Sequence, residues 1–251
     1  MIRRLIKSFL PRKMTGVKFV NSGYCFCCEK RTKFVALNDW FRDYYQCSSC
    51  GSIPRERALM YCVEKFFPGW RESVIHESSP SRRRASLKLR KQAGKYIPSQ
   101  FYTDIEPGKW FKGACSENLE SMTFDDNSID LHVTQDVMEH VFHPDRAFRE
   151  IARTLRPGGA HIFTVPLVNK DRPTEVCATL GADGCVAHLR EPEYHINPVS
   201  RQGALVTRRW GYDICDFIFS NTGLFTEIVY LDLLEYGIRA EFIEVLITRK
   251  L

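Results

Sequence analysis

The pattern of apolar and polar positions divides most of the chain into short apolar runs and longer amphipathic stretches. The runs at residues 73–77, 100–104 and 129–135 have the length and apolar content of buried strands. Apolar residues recur at helical spacing over residues 82–93, and again from Pro144, a residue that suits the first position of a helix. Strands that alternate with helices predict a mostly parallel sheet with helices on both faces.

The end of the chain continues this pattern but closes the sheet differently. Residues 161–165 predict a further strand, and apolar residues at helical spacing predict a helix over residues 210–220. Two more strands follow at residues 225–231 and 242–248. Only residues 232–240 separate them, which leaves no room for a crossover helix, so we expect an antiparallel final pair.

One segment, residues 125–166, carries a recognisable order of motifs. It contains Asp-Asp-Asn-Ser-Ile-Asp, then Gln-Asp-Val-Met-Glu-His, and finally Leu-Arg-Pro-Gly-Gly before a strand. This order resembles the second half of class I S-adenosylmethionine-dependent methyltransferases of the type 11 kind. Further on, Tyr-His-Ile-Asn-Pro at residues 194–198 and Trp-Gly-Tyr-Asp-Ile at residues 210–214 resemble methyltransferases that begin with a zinc ribbon.

The resemblance implies a fold and a place for the cofactor. The fold is an α/β Rossmann-like sheet of seven mostly parallel strands with an antiparallel last strand, preceded by a small zinc ribbon. S-adenosylmethionine would lie across the carboxyl ends of the strands, where such folds bind their ligands. The residues that the resemblance places there are Glu77, Ser78, Ser79, Pro80, Asp104, Glu117, Asn118, Leu119, Gln135 and Asp136.

Each of these positions has an expected role. The loop at residues 77–80 replaces the family's glycine-rich turn and contains no glycine, although its serines are small enough for a close approach. The helix start behind it would favour the methionine carboxylate of the cofactor. Asp104 would accept hydrogen bonds from the ribose hydroxyls, residues 117–119 would flank the adenine, and residues 135–136 would lie beside the sulfonium.

A cluster of cysteines predicts a metal site near the N-terminus. Cys25 and Cys28 form one Cys-x-x-Cys pair, and Cys47 and Cys50 form another. Two such pairs, joined by a segment that can form a hairpin, fit a closed four-thiolate Zn²⁺ site with a structural role. Cys27 lies inside the first pair and could replace one of its neighbours. The alternative is a group of reduced cysteines that pack as small hydrophobic residues.

Charge and cysteine usage suggest a division of the chain. Residues 1–68 hold 13 Lys and Arg against 5 Asp and Glu, although the net charge of the whole chain is only +6. We expect a basic tail over residues 1–20, a zinc-ribbon module over 21–55 and a methyltransferase domain over 56–251. The chain shows no transmembrane run and no small-residue cleavage site after its N-terminal segment, so we expect a cytoplasmic protein.

Two histidines are candidates for a general base. An oxygen or nitrogen acceptor can need proton removal, and imidazole titrates near neutral pH. His140 follows the central strand, and His195 lies in a stretch of about forty residues between 167 and 208 without clear periodicity. Long stretches of this kind are often functional, and in the resembling family they cover the substrate. His132 and His161 lie inside predicted strands and are expected in the core.

Three functions remain open at this point. The favoured one is methyl transfer from S-adenosylmethionine to a small-molecule or saccharide-type metabolite. RNA methylation is the second, because a basic ribbon could bind phosphates. The third is a binding protein that has the fold without catalysis, a hypothesis motivated by the glycine-free first loop. The sequence gives no indication of the oligomeric state.

Overall fold

The fold is taken from a computed structural model, which describes residues 16–81, 84–197 and 200–251. Most of the predicted basic tail, residues 1–15, therefore lies outside the described residues, as do residues 82–83 and 198–199. In the described residues, no helix has the length and apolar character that would be needed to cross a membrane.

A small antiparallel sheet forms the N-terminal module. Its elements are β1 (Phe19–Cys25), β2 (Lys30–Ala36), a single helical turn α1 (Phe41–Tyr44) and β3 (Tyr45–Cys47). The hairpin predicted within this segment is the pair β2–β3, in which Phe34 lies opposite Cys47. Strand β1 was not predicted from the sequence, because Asn21 and Gly23 in its middle are residue types that are depleted in strands.

The first part of the larger sheet alternates strands and helices, as the pattern predicts. Its elements are α2 (Pro54–Phe66), β4 (Val74–Ser78), α3 (Arg84–Gln92), β5 (Lys95–Gln100), β6 (Trp110–Phe111), β7 (Ala114–Ser116), β8 (Ile129–Gln135), α4 (Pro144–Thr154) and β9 (Leu155–Thr164). A 3₁₀ turn, Pro68–Glu72, connects α2 to β4.

The long stretch after β9 consists of short hairpins. Its strands are β10 (Glu175–Val176), β11 (Ala178–Leu180), β12 (Val186–His188), β13 (Tyr194–Asn197), β14 (Ser200–Leu205) and β15 (Arg208–Arg209). They pair antiparallel as β10 with β15, β11 with β12 and β13 with β14. We call residues 167–209 the insertion.

The chain then returns to the larger sheet. Helix α5 (Ile214–Thr222) leads to β16 (Thr226–Val229), a 3₁₀ turn (Leu234–Tyr236) and β17 (Val245–Arg249). The strand order is β16-β17-β9-β8-β4-β5-β7-β6, and β17 runs antiparallel to both of its neighbours. The predicted seven-stranded, mostly parallel sheet with a reversed last strand is therefore confirmed. The eighth strand is the two-residue β6.

The strand predicted at residues 100–104 lies earlier, at β5. Its predicted position was wrong because residues 95–100 contain Pro98. Proline cannot donate a backbone hydrogen bond, so it argues against a strand there. The structure shows why proline fits there. Pro98 pairs with Glu77 of β4, whereas β7 pairs only with Ser99 and Gln100, so no strand needs an N–H on the other side of Pro98.

Apolar side chains fill both faces of the larger sheet. Ile162 on β9 packs with α2, α3 and the N-terminal module, whereas the next residue, Phe163, packs with α4 and α5. Burial on both faces explains the nearly continuous apolar strands. His132 and His161 are buried within this sheet, where His132 bonds to His76 and Thr154, and His161 to Thr134. Both are core residues, as expected.

A buried arginine joins the module to the rest of the fold. The guanidinium of Arg57, on α2, donates to the carbonyl oxygen of Gly237 at 2.6 Å, to that of Tyr45 at 2.9 Å and to that of Ser52. It also lies 4.6 Å from the centre of the Phe34 ring. These carbonyl groups come from the module and from the turn before β17, so one side chain connects three separate segments.

We predict that Arg57→Met lowers the free energy of unfolding by at least about 3 kcal/mol, because it leaves several buried carbonyl groups without their charged donor. Urea denaturation measures the loss. Arg31→Met, at an exposed position of β2, is the matched control and should change stability by less than about 0.5 kcal/mol. Equal effects of the two changes would contradict the role assigned to Arg57.

Candidate functional site

The carboxyl ends of β4, β5, β7 and β8 lie side by side at one edge of the sheet, because these strands are neighbours and run parallel. The last residues of these strands and the loops that follow them contain every residue of the predicted cofactor set. The fold therefore brings these loops to one edge, although their side chains have different surroundings there.

Glu77, at the end of β4, forms hydrogen bonds with other side chains of the protein. Its buried carboxylate accepts hydrogen bonds from Ser86 at 2.6 Å, Tyr96 at 2.7 Å and Gln135 at 2.9 Å. Burial raises the pKa of Glu77, although these donors oppose the rise. Glu77 and Gln135 thus tie β4 to β8 and α3.

The glycine-free loop after β4 adopts the backbone shape that glycine usually provides. Ser79 has φ +54°, in the left-handed region, and its N–H donates to the carbonyl of Ser99 at 2.8 Å. Ser78 is buried, whereas Pro80 is half-buried. The turn is therefore preserved with serine in place of glycine.

The predicted ribose and adenine residues follow β5 and β7. Asp104 is exposed, four residues beyond the end of β5, and accepts a hydrogen bond from the Thr103 hydroxyl at 3.2 Å. Asn118 is half-buried, and its side-chain oxygen accepts from the N–H of Glu120. Glu117 is buried and bonded to Thr123, so its carboxylate holds the local turn.

Leu119 is buried and belongs to the apolar core on the α4 side of the sheet. Its neighbour Asn118 stays half-buried. Only part of the predicted adenine segment is therefore accessible to a ligand.

Asp136, directly after β8, is the centre of a buried ion cluster. Its carboxylate pairs with Arg42 of the module at 2.6 Å and with Arg55 at the start of α2, and it accepts from the Thr164 hydroxyl at 3.0 Å. Burial alone would raise the pKa of Asp136, but Arg42 and Arg55 outweigh it and hold the pKa below its usual range. The carboxylate therefore binds the module to the strand edge.

A cavity of about 490 Å³ opens beside this cluster, beyond the ends of β8 and β9. Its walls come from the module, the loops after both strands, the insertion and the segment before β17. The lining residues are Trp40, Arg42, Asp43, Glu139, Pro166, Val168, Asn169, Arg172, Glu193, His195, Val206, Arg208, Arg209 and Phe242. None of the residues in the predicted cofactor set lines it, so the cavity is separate from them.

The cavity contains cationic groups that lack acidic partners. Arg209 pairs with Glu175 and Glu193, whereas no described carboxylate lies within ion-pair distance of Arg172 or Arg208. The Nε of Arg208 is buried without a hydrogen-bond partner among the described residues. A cation without an acidic partner at the wall of a cavity favours an anionic or strongly hydrogen-bonding ligand.

Both predicted catalytic histidines lie beside this cavity, around Glu139. The Nε2 of His140 and the Nδ1 of His195 lie 3.7 and 3.8 Å from the Oε1 of Glu139. The rings are 5.0 Å apart. Glu139 was not predicted as a site residue, although it stands next to His140 in the motif that carried the resemblance.

The four predicted metal ligands also come together. The Sγ atoms of Cys25 and Cys50 are 3.8 Å apart and those of Cys28 and Cys47 are 3.9 Å apart, and all four lie within 4.8 Å of one another. Cys27 is buried in the apolar core and is not part of this group.

Three arginines at the strand edge were not predicted as site residues. Arg42 and Arg55 hold Asp136, and Arg84, which begins α3, lies 3.5 Å from Glu56. The Nε atoms of Arg55 and Arg84 are buried without a partner among the described residues. The basic N-terminal composition was a signal for such residues, but composition does not say where a side chain lies.

Comparison with known proteins supports the assignment of the fold. The family described as "Methyltransferase domain" matches residues 99–163, which span β7, β8 and α4. This is 65 of the 251 residues. No curated protein matches the sequence.

Several solved structures share the architecture. The Burkholderia thailandensis 1,6-didemethyltoxoflavin-N1-methyltransferase, solved with 1,6-didemethyltoxoflavin and S-adenosylhomocysteine, is 13% identical with a TM-score of 0.51, over 78% of each chain. An S-adenosylmethionine-dependent methyltransferase from Mesorhizobium loti is 13% identical, with a TM-score of 0.45, over 76% of this chain and 96% of that one. The family match supports methyl transfer, and the Burkholderia thailandensis structure shows the fold.

We predict that Asp136→Asn destabilises the protein at neutral pH, because Arg42 and Arg55 lose their buried counter-charge. A carboxylate with a depressed pKa contributes stability above its unfolded pKa of about 3.9, and this contribution falls as the pH drops below that value. The stability difference between wild type and variant should therefore shrink from about pH 4 downward.

Urea denaturation at pH 7, 5, 4 and 3 measures this trend. Asp39→Asn is the control, because the Asp39 side chain is 78% exposed and lies 3.9 Å from Lys18. A difference that stays constant over the whole range would show that Asp136 is not held ionised by the two arginines.

Proposed function

We propose that the protein is an S-adenosylmethionine-dependent methyltransferase that acts on a small-molecule or saccharide-type metabolite. The observation that carries the proposal is one cavity beside the strand ends that contain the predicted cofactor residues. The cofactor loops lie over β4, β5 and β7, and the separate cavity of about 490 Å³ lies beyond β8 and β9. That volume is typical of a small-molecule site.

The strand edge offers groups that suit the cofactor. Asp104 is exposed and can accept hydrogen bonds from ribose hydroxyls, and the half-buried Asn118 can bond to adenine. The Nε atoms of Arg55 and Arg84 have no hydrogen-bond partner among the described residues, and such donors suit a carboxylate. Bound there, S-adenosylmethionine supplies an electrophilic methyl group on a positively charged sulfur.

The residues of the chain position the acceptor and exclude water. Arg172 and Arg208 provide positive charge for an acidic or polyhydroxylated acceptor. Trp40 and Phe242 form an apolar part of the cavity wall. Trp40 belongs to the N-terminal module, so we propose that residues 21–55, the ribbon, complete the acceptor cavity of the 56–251 methyltransferase domain. We expect both to function in the cytoplasm.

We predict that S-adenosylhomocysteine binds and that Asp104→Ala weakens its binding at least tenfold, about 1.4 kcal/mol, through loss of the ribose contacts. Isothermal titration calorimetry measures this affinity. Asp125→Ala is the matched control, because Asp125 is an exposed acid before β8, at the opposite edge of the sheet.

The outcomes separate the candidate functions. No heat with the wild type would identify a non-catalytic binding protein, and an unchanged affinity of Asp104→Ala would remove its ribose role. An RNA acceptor would instead be indicated by RNA binding that falls steeply with salt.

We also propose that the four cysteines bind one structural Zn²⁺. Thiolates at about 2.3 Å around a tetrahedral zinc ion lie about 3.8 Å from one another, which agrees with the Cys25–Cys50 separation of 3.8 Å and the Cys28–Cys47 separation of 3.9 Å. Four protein ligands leave no open position, so the ion would stabilise the module rather than take part in catalysis.

We predict that Cys28→Ser removes zinc and lowers the thermal unfolding temperature, whereas Cys27→Ala, the matched control, retains a full equivalent. Elemental analysis of freshly purified, reduced protein measures the metal. Less than half an equivalent in the wild type, or equal loss in both variants, would contradict this ligand set.

A further inference from the structure

A second group of metal-binding side chains lies apart from the cysteines, at the wall of the 490 Å³ cavity. We propose that Glu139, His140 and His195 bind a divalent transition-metal ion that coordinates an oxygen atom of the methyl acceptor. The metal site itself stands on the geometry of the three residues. Only its role toward the acceptor rests on the proposed function.

The first argument is an unsatisfied buried carboxylate. Glu139 is 2% exposed, and neither of its carboxylate oxygens has a hydrogen-bond partner among the described residues. A buried carboxylate in this state is costly, so such groups are normally paired or coordinate a metal.

The second argument is the distance between the three ligand atoms. The Oε1 of Glu139 lies 3.7 Å from the Nε2 of His140 and 3.8 Å from the Nδ1 of His195. Nitrogen and oxygen ligands of tetrahedral zinc, about 2.1 Å from the ion, lie about 3.4 Å apart. A small contraction of the group would therefore bring all three atoms to bonding distance.

The third argument is the orientation of both imidazoles. The Nδ1–H of His140 donates to the carbonyl of Leu205 at 2.8 Å, and this leaves the lone pair on Nε2, which faces Glu139. The Nε2 of His195 lies 3.5 Å from the carboxylate of Glu193, and its Nδ1 faces Glu139. Histidine ligands of metals commonly donate their other N–H to a carbonyl or a carboxylate in this manner.

The backbone holds this arrangement in place. The carbonyl of Glu139 accepts hydrogen bonds from the N–H of Thr207 at 2.8 Å and from its hydroxyl at 3.1 Å. His195 lies on β13 opposite Ala204 of β14, so the insertion brings His195 and the Leu205 carbonyl to the loop after β8 together. His195 thus lies on a paired strand, and hydrogen bonds from Thr207 and to Leu205 hold Glu139 and His140 in the loop after β8.

Two histidines and one carboxylate leave coordination positions open, as in catalytic zinc and non-haem iron sites. Glu139 and His195 both line the cavity, so these positions would face a bound acceptor near Arg208. Coordination at this point would orient an acceptor hydroxyl or carboxylate oxygen toward the strand edge where the cofactor is proposed.

Calorimetric titration of full-length, reduced protein with Zn²⁺ tests the site after dialysis against EDTA, with parallel titrations of Co²⁺ and Mn²⁺. The wild type should bind one more equivalent of metal ion than Glu139→Gln and His195→Ala do, or should bind that equivalent at least tenfold more tightly. Metal bound by the four cysteines is common to all three proteins and does not affect this difference. His188→Ala, at an exposed position of β12, is the matched control and should behave as the wild type.

A stability measurement distinguishes binding from a structural role. Without metal, Glu139→Gln should unfold at the same temperature as the wild type or a higher one, because glutamine removes a buried unpartnered carboxyl group. With Zn²⁺ added, only the wild type should gain thermal stability from this site.

The proposal is overturned if none of the three ions gives the additional equivalent, or if Glu139→Gln and His195→Ala retain it. Titration with S-adenosylhomocysteine is independent of this result. A protein that binds the metal but not S-adenosylhomocysteine would keep the site and lose the proposed function, and the reverse outcome would remove only the site.

Discussion

The ion cluster of Asp136 with Arg42 and Arg55 determines how the rest of the site is built. A carboxylate at the end of β8 is buried, and its charge is balanced by arginines that belong to the N-terminal module and to α2. Breaking a buried pair is expensive, so the module is fixed against the strand edge. The cavity wall formed by Trp40, Arg42 and Asp43 exists because of this attachment.

Part of the basic charge of the module and of α2 serves contacts inside the protein. Its core is continuous with the core of α2 and α3, and Arg57 bonds to carbonyl groups of both the module and the turn before β17. A basic surface would be available to a phosphate-bearing partner, whereas Arg42, Arg55 and Arg57 are engaged inside the protein. Their charges serve the assembly of one compact unit.

The sequence predicted the fold well because burial on both faces of a parallel sheet imposes an apolar pattern along each strand, as in β8. It predicted the cysteine group for a similar reason, since spacing alone fixes which thiols can meet. The side-chain contacts of Asp136 could not be predicted, because its partners lie 94 and 81 residues away along the chain. Glu139 was not predicted because its carboxylate is buried and unpartnered only once the insertion has folded over it.

One segment, the insertion, contributes both to the cavity and to the proposed metal site. Its backbone holds Glu139 through Thr207, its Leu205 carbonyl orients His140, and its arginines line the cavity. Under the proposed function, a change of acceptor would need changes mainly in the insertion, because most of the predicted cofactor residues lie at other strand ends. The same separation means that an acceptor can bind without displacing the turn at Ser79. Asp136, which pairs with Arg42 and accepts a hydrogen bond from Thr164, joins the end of β8 to the module and to β9 beside this cavity.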